Sequence, residues 1–202
     1  MKLYFSPGAC SLSPHIVARE AGYALDLEQV DLKAKKTKSG ADYLQINPKG
    51  YVPALQLDDG QILTEGPVLL QYLADKRPES NLIAKAGAME RYRTQEWLVF
   101  VGTELHKAFS PLFNPATPEE FKKMTIERIS GRFDFLNKHF ANNDYLMGTQ
   151  FCVADAYCFT VSRWSQFVGI DLNRWPNLKA YIERVGARPK VQEAMKAEGL
   201  LK

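Results

Sequence analysis

The stretch whose reading decides the fold is Leu3-Tyr4-Phe5-Ser6-Pro7-Gly8-Ala9-Cys10-Ser11-Leu12-Ser13-Pro14-His15. Its first three residues are β-prone, and Ser6-Pro7-Gly8 is a turn signal. Ser13-Pro14 reads as an N-cap followed by proline at the first helical position. A strand therefore passes through a short loop into a helix that runs to about Ala21 and stops at Gly22. That loop carries a thiol, Cys10, three residues ahead of the expected helix start.

Outward from this unit the alternation continues. Leu27 to Leu32 predicts a second strand, and Lys33, Lys35, Lys36 and Lys38 read as a solvated basic loop. Ser39 is expected to cap a short helix through Ile46, broken by Asn47-Pro48-Lys49-Gly50. Val52–Leu57 and Gln61–Thr64 flank the hairpin signal Asp58-Asp59-Gly60. Gly66-Pro67 then opens a helix with Val68, Leu69, Tyr72 and Leu73 at helical spacing. The order β-α-β-α-β-β-α predicts an α/β layer with an antiparallel edge.

Beyond Lys76 the strand signals disappear. Met89 to about Phe113 reads as one long helix, and Pro118 opens a second carrying Phe121, Met124, Ile129, Phe133 and Leu136. A third spans Val153 to Phe167, a fourth Pro176 to about Ala187, and a short last one follows Pro189. The expected division is an α/β domain over residues 1–78, a linker of about 79–87 and an all-α C-terminal helical domain over residues 88–202.

With 202 residues, 46% of them hydrophobic and 24% charged, the chain is composed like a globular protein and unlike a disordered one. A net charge of +3 is only weakly basic, and nucleic-acid binding would need that charge clustered, which the total alone does not show; no nucleic-acid partner is expected. The start lacks the apolar run of a signal peptide, no stretch has the length of a transmembrane span, and no membrane partner is expected. Three cysteines (Cys10, Cys152, Cys158) are too few and too scattered for a disulfide framework, and none has metal-site spacing to a histidine. An odd thiol count points to a reducing, cytoplasmic setting, and no metal is expected.

Few residues carry chemistry. Cys10 lies where the amides and positive dipole end of a helix favour a thiolate, but a cysteine is also a common small buried hydrophobe, and position alone leaves both readings open. Val52-Pro53 at a strand start is what a cis-proline at a thiol site looks like, and its turned backbone would pair with an extended peptide ligand. Gly66 at a helix N-terminus suits an anion, with Glu65 beside it for an ammonium, although capping electrostatics explains both. His106 and Lys107 fall on the long helix among Phe109, Leu112 and Phe113, where packing or surface is the default.

Taken together, Cys10-Ser11-Leu12-Ser13-Pro14-His15, Asn47-Pro48-Lys49-Gly50-Tyr51-Val52-Pro53, Leu63-Thr64-Glu65-Gly66 and Glu104-Leu105-His106-Lys107 closely resemble the bacterial beta-class glutathione transferases. The resemblance runs the full length, in order and at consistent spacing. It implies a thioredoxin-like N-terminal domain, a helical C-terminal domain, a cytoplasmic homodimer and glutathione as cosubstrate. Cys10 would stand beside the glutathione sulfur, and Lys35 near a glutathione carboxylate. Val52, ahead of cis-Pro53, would pair with the cysteinyl unit, while Glu65 and Gly66 would take the γ-glutamyl ammonium and carboxylate. Thr103, Glu104 and His106 would also approach the ligand, part of that segment reaching the neighbouring subunit's site. Tyr51, Lys107, Phe109, Phe113, Trp164 and Phe167 would line the acceptor pocket, although these aromatics equally fit helix-packing core.

Three departures stand out. Phe5 occupies a position where many relatives have Tyr, and Tyr4 cannot replace it because adjacent strand residues face opposite sides. Val99 stands where Asn is frequent. Cys152 replaces the hydroxyl cap of Cys152-Val153-Ala154-Asp155, an expected loss of about 1 kcal/mol at that helix start.

The resulting expectation is glutathione conjugation to a small hydrophobic electrophile, or monothiol disulfide exchange, through Cys10, its thiolate stabilised by Lys107 or a protonated His106. The rival is a non-catalytic glutathione-binding, hydrophobic-ligand or interaction protein on the same fold.

Overall fold

A computed structural model describes residues 1–201. The chain forms two units, Met1–Ile83 with the segment from Arg188 onward, and Ala84–Ala187.

In the first unit β1 (Lys2–Phe5), α1 (Leu12–Glu20) and β2 (Asp26–Asp31) form a β-α-β element with β1 and β2 parallel, Leu3 opposite Leu27. β3 (Lys36–Thr37) pairs antiparallel with β2, and α2 (Tyr43–Ile46) follows. β4 (Ala54–Gln56) and β5 (Ile62–Thr64) close the hairpin ahead of α3 (Gly66–Asp75). The sheet order is β3-β2-β1-β4-β5, with β4 antiparallel to β1. The basic loop was expected to be unstructured, but Lys36-Thr37 adds a fifth strand, anchored by the Lys38 N–H on the Gln29 carbonyl at 2.7 Å.

Period-two alternation distributes the core. Tyr4 joins Val30, Tyr43, Val52 and Ala54 in one cluster, while Phe5, the next residue of β1, meets the His15 ring of α1. α1 and α3 pack together, and Leu69, Leu70 and Leu73 of α3 are fully buried. Each such side chain contributes about 2 kcal/mol of apolar burial, so truncating one to Ala would cost about 2–5 kcal/mol.

Two expected caps move. α1 starts at Leu12, not after Ser13, because residues 6–10 already wind as turns: Ala9 donates to Ser6, Leu12 to Ala9 and Ser13 to Cys10. Pro14 falls in the first turn, where a missing N–H is harmless. α2 is capped by Asp42, whose carboxylate takes the Leu44 N–H at 3.0 Å, and not by Ser39.

The second unit contains α4 (Met89–Phe100), a π turn (Val101–His106), α5 (Lys107–Phe109), a 3-10 turn (Ser110–Phe113), α6 (Glu119–His139), α7 (Val153–Ser162) and α8 (Pro176–Gly186). The long helix expected over Met89–Phe113 is therefore interrupted, first by the π turn and then at Pro111. The expected helix over Val153–Phe167 likewise ends its α-helical part at Ser162 and continues as 3-10 turn to Phe167. All residues of α7 are buried, and it packs on α4, α8 and the π turn.

The last helix, α9 (Pro189–Ala197), groups with the first unit and not with the helical one expected over 88–202. The reason is a set of specific bonds to the α1 region. Buried Glu198 takes the Gly8 N–H at 3.0 Å and pairs with His15 Nδ1 at 2.9 Å, and Arg188 grips Glu20 through two nitrogens at 2.7 and 2.9 Å. Among the described residues no helix is long and apolar enough to cross a membrane.

Candidate active site

In the first unit the chemistry gathers on the segment Gly50-Tyr51-Val52-Pro53. Every carbonyl of its first three residues is held. Lys35 Nζ donates to the Gly50 oxygen at 2.8 Å. Tyr43 Oη and Asn47 Nδ2 both donate to the Tyr51 oxygen, at 2.7 and 2.8 Å. Cys10 Sγ donates to the Val52 oxygen at 3.2 Å. The Val52–Pro53 bond is cis, and the Val52 N–H has no partner among the described residues. The segment thus presents a fixed edge with a donor open to a ligand.

Cys10 is half-buried, while Cys152 and Cys158 are buried. The expected open amides at the start of α1 are used differently: the Leu12 and Ser13 N–H groups close turns on Ala9 and Cys10, and Ser13 Oγ donates to the Cys10 carbonyl at 2.7 Å. The thiol is therefore placed by a rigid turn and by Val52.

Glu65 and Gly66 stand at the start of α3. The Gly66 N–H has no partner among the described residues, Pro67 has none to offer, and a Cβ on Gly66 would meet nothing within 4 Å. This is an open amide at the positive end of a helix, suited to a carboxylate. Glu65 has φ 70°, and Lys35 has φ 55°. Non-glycine residues in this region store about 1–3 kcal/mol, which is kept where the surroundings over-determine it. Two of the three such residues described are candidate anchors.

Glu65 pairs with Lys49 Nζ at 2.6 Å, both side chains half or more exposed. An exposed pair contributes about 0–1 kcal/mol, so a ligand ammonium can displace the lysine at little cost. The Lys35 ammonium has no carboxylate partner among the described residues.

Tyr43 and Asn47 were missed as site residues. Asn47 read only as a helix breaker, yet its side chain shapes the ligand edge. Burial pushes the Tyr43 phenol up to about 12, so it remains a donor to Tyr51 at any working pH. Tyr51 itself is 68% exposed. An open groove of about 400 Å³ beside β3, lined by Gln29, Asp31, Ala34, Lys36, Thr37 and Lys38, includes none of the candidate residues.

In the second unit the π turn presents Thr103, Glu104 and His106. A π turn inside a helix is frequent at functional sites. Thr103 is exposed and its hydroxyl returns to the Val99 carbonyl at 2.9 Å, while Val99 itself is exposed without a polar group. Glu104 accepts from Arg132 Nε and Nη2 at 2.9 and 2.6 Å and from Arg128 at 3.4 Å. The Arg132 hydrogen bond and both guanidinium charges hold its carboxyl below the usual range.

His106 joins the aromatic side chains. Its Nδ1 lies 2.6 Å from Tyr157 Oη, and its ring meets Trp164 edge to face at 4.9 Å. Burial, with a smaller push from Lys107, lowers its pKa to about 4. The imidazole is therefore neutral at pH 7, which removes the expected protonated His106 as a thiolate partner. Trp164 in turn touches Phe109 at 5.8 Å and Phe113 at 5.6 Å. Phe109 is fully buried and supports the cluster as core, whereas Phe113 and Phe167 are 48% and 59% exposed. Lys107 is exposed next to the histidine. Tyr157 had no distinguishing signal in the sequence, since α7 is buried along its whole length.

Among the described residues no group of three or more His, Cys, Asp or Glu side chains is placed to hold a metal.

Residues 8–76 match the family model "Glutathione S-transferase, N-terminal domain" and residues 100–189 match "Glutathione S-transferase, C-terminal domain". The chain is similar to glutathione S-transferase GstA of Escherichia coli O157:H7, 46% identical over 99% of this chain and 100% of that one. Among solved structures it is similar to a bacterial beta class glutathione S-transferase of Sphingomonas chungbukensis, with a TM-score of 0.97, 46% identity and full coverage of both chains. A sphingomonad glutathione S-transferase complexed with glutathione superposes with a TM-score of 0.96, at 47% identity and full coverage of both chains.

Proposed function

Because this chain belongs to the glutathione S-transferase family, we propose that it joins glutathione to small hydrophobic electrophiles and exchanges disulfides with it through Cys10. The observation that carries the reading is the edge built on Gly50–Val52. It offers one open peptide N–H and a thiol, in the same unit as an open amide at Gly66, a carboxylate at Glu65 and an ammonium at Lys35. Those groups complement the parts of glutathione: a peptide unit, a thiol, an α-carboxylate, an α-ammonium and a terminal carboxylate.

In conjugation the glutathione sulfur, as thiolate, attacks an electrophilic carbon, and the leaving group departs with its electron pair. In exchange the Cys10 thiolate attacks the glutathione sulfur of a glutathione mixed disulfide, the S–S bond breaks, and the departing substrate thiolate takes a proton. A glutathione thiolate then attacks the new Cys10 disulfide, releasing oxidised glutathione and restoring Cys10. No second cysteine stands two residues away, so the cycle runs through glutathione and not through a dithiol. Phe113, Trp164 and Phe167 supply apolar surface for the acceptor, with His106 as its neutral polar neighbour. The working form is a cytoplasmic homodimer.

Retention on immobilised glutathione, followed by turnover of a panel of aryl halides, peroxides and mixed disulfides with and without glutathione, tests this reading. Retention with glutathione-dependent turnover is expected, and Cys10→Ala abolishes the disulfide exchange. Retention without turnover of any acceptor would make the protein a binder, and no retention would overturn the proposal.

A further inference from the structure

His106 is held by α7 through a single short bond. The hydroxyl of Tyr157 lies 2.6 Å from its Nδ1, the two rings meet edge to face with centroids 5.7 Å apart, and Trp164 packs edge to face on the same imidazole. A phenol is a stronger hydrogen-bond donor than a neutral imidazole N–H, so in this pair the phenol donates and Nδ1 accepts. A neutral imidazole that accepts at one nitrogen carries its proton on the other. Nε2 has no partner among the described residues.

We propose that Tyr157 is a positioning residue of the reaction: its hydroxyl fixes the His106 ring as the Nε2–H tautomer, making it a hydrogen-bond donor to the negative charge that develops on the acceptor. His106 is then not the base that takes the glutathione proton. This rests on the transferase reading for its chemistry, but the tautomer itself can be read without any substrate.

The surroundings agree. Burial and the neighbouring Lys107 keep the ring neutral. The other charged or titratable groups on this segment are Tyr157 from α7 and Glu104, which is already bound to Arg132 and Arg128 of α6. A fixed donor that needs no reorientation as charge develops is the form of electrostatic assistance that costs least during reaction.

Long-range proton–nitrogen spectra of the ligand-free protein labelled with 15N-histidine, with the His106 signals assigned by their loss in His106→Asn, read the tautomer at pH 7. The expected result is a protonated Nε2 and an unprotonated Nδ1 in the wild type. Tyr157→Phe keeps the ring packing, and should give a mixture of tautomers. The same variant should lose about tenfold in kcat with glutathione and an aryl halide, with KM for glutathione changed less than about twofold. A wild-type spectrum with the proton on Nδ1 would overturn the proposal, as would unchanged tautomer and kcat in Tyr157→Phe. The expected tautomer in a protein without turnover on any acceptor would uphold the positioning and overturn the transferase reading instead.

Discussion

Two helices of this protein begin beside a cysteine, and the two starts have opposite characters. At α1 the half-buried Cys10 stands in the turn ahead of Leu12, with its thiol on the Val52 carbonyl. At α7 Cys152 is itself the N-cap residue, buried, with Asp155 three positions on. Both feel the positive end of a helix, an effect of about 0.3–2 kcal/mol. At Cys152 that effect is outweighed: burial first, and the Asp155 carboxylate second, push the thiol well above its ordinary range. Cys158, deeper in the same helix, is raised to about 12 by burial. A helix start is thus insufficient for a working thiol. Exposure separates the two starts, and Cys10 is the one of the three cysteines that is not buried.

The α7 start is instead a structural clasp. Fully buried Asp155 takes the N–H groups of Leu146 and Cys152, both at 2.9 Å, and the Tyr181 hydroxyl at 3.1 Å. The Cys152 N–H is capped even though the residue has no hydroxyl, so the weakness expected from sequence is confined to the thiol's own half of the capping box. Asp155→Ala leaves the buried N–H groups of Leu146 and Cys152 unpartnered, while the Tyr181 hydroxyl keeps the Asp155 carbonyl at 3.2 Å, and is expected to cost about 3–5 kcal/mol in denaturant unfolding. A cost under about 1 kcal/mol would mean that Asp155 does not clasp the start of α7.

The same carboxyl sets a pH signature. Desolvation outweighs its hydrogen bonds and raises Asp155 to about 6, against about 4 in an unfolded chain. The folded state therefore binds this proton more tightly. Its stabilising contribution is full below about pH 4 and is lost as pH rises through about 6. The stability difference between wild type and Asp155→Asn should fall by an amount on the order of 2 kcal/mol over that window. A difference that grows with pH would contradict the sign.

The smallest effect is at the cap itself. Cys152→Ser supplies a hydroxyl acceptor for the Asp155 N–H and is expected to add about 0.5–1 kcal/mol to stability. Thiol reactivity at Cys10 should not change, because the two starts lie in separate units.

Much of this was readable from the residues. The strand–turn–Cys10–helix order, the hairpin at Asp58-Asp59-Gly60, the Gly66-Pro67 helix start and the shift to helices after Lys76 all rest on local signals, and each appears in the structure. The misplaced features depend on distant partners. β3 is a strand only because β2 lies beside it, and α9 belongs with α1 only because Glu198 reaches Gly8 and His15. The π turn carries no signal in Val101-Gly102-Thr103-Glu104-Leu105-His106 that distinguishes it from ordinary helix. The candidate site divides the same way. Cys10, Pro53, Glu65 and Gly66 were visible as residue types in a pattern, whereas the Tyr43 and Asn47 clamp on Tyr51 and the Tyr157 bond to His106 were not.

Cys10, and neither cysteine of the α7 region, is proposed as the working thiol. Incubating the folded protein with oxidised glutathione and mapping the adduct by mass spectrometry tests it directly. A single glutathione adduct on the peptide containing Cys10 is the expected result. An adduct on Cys152 or Cys158 in the folded protein, or none on Cys10, would contradict it.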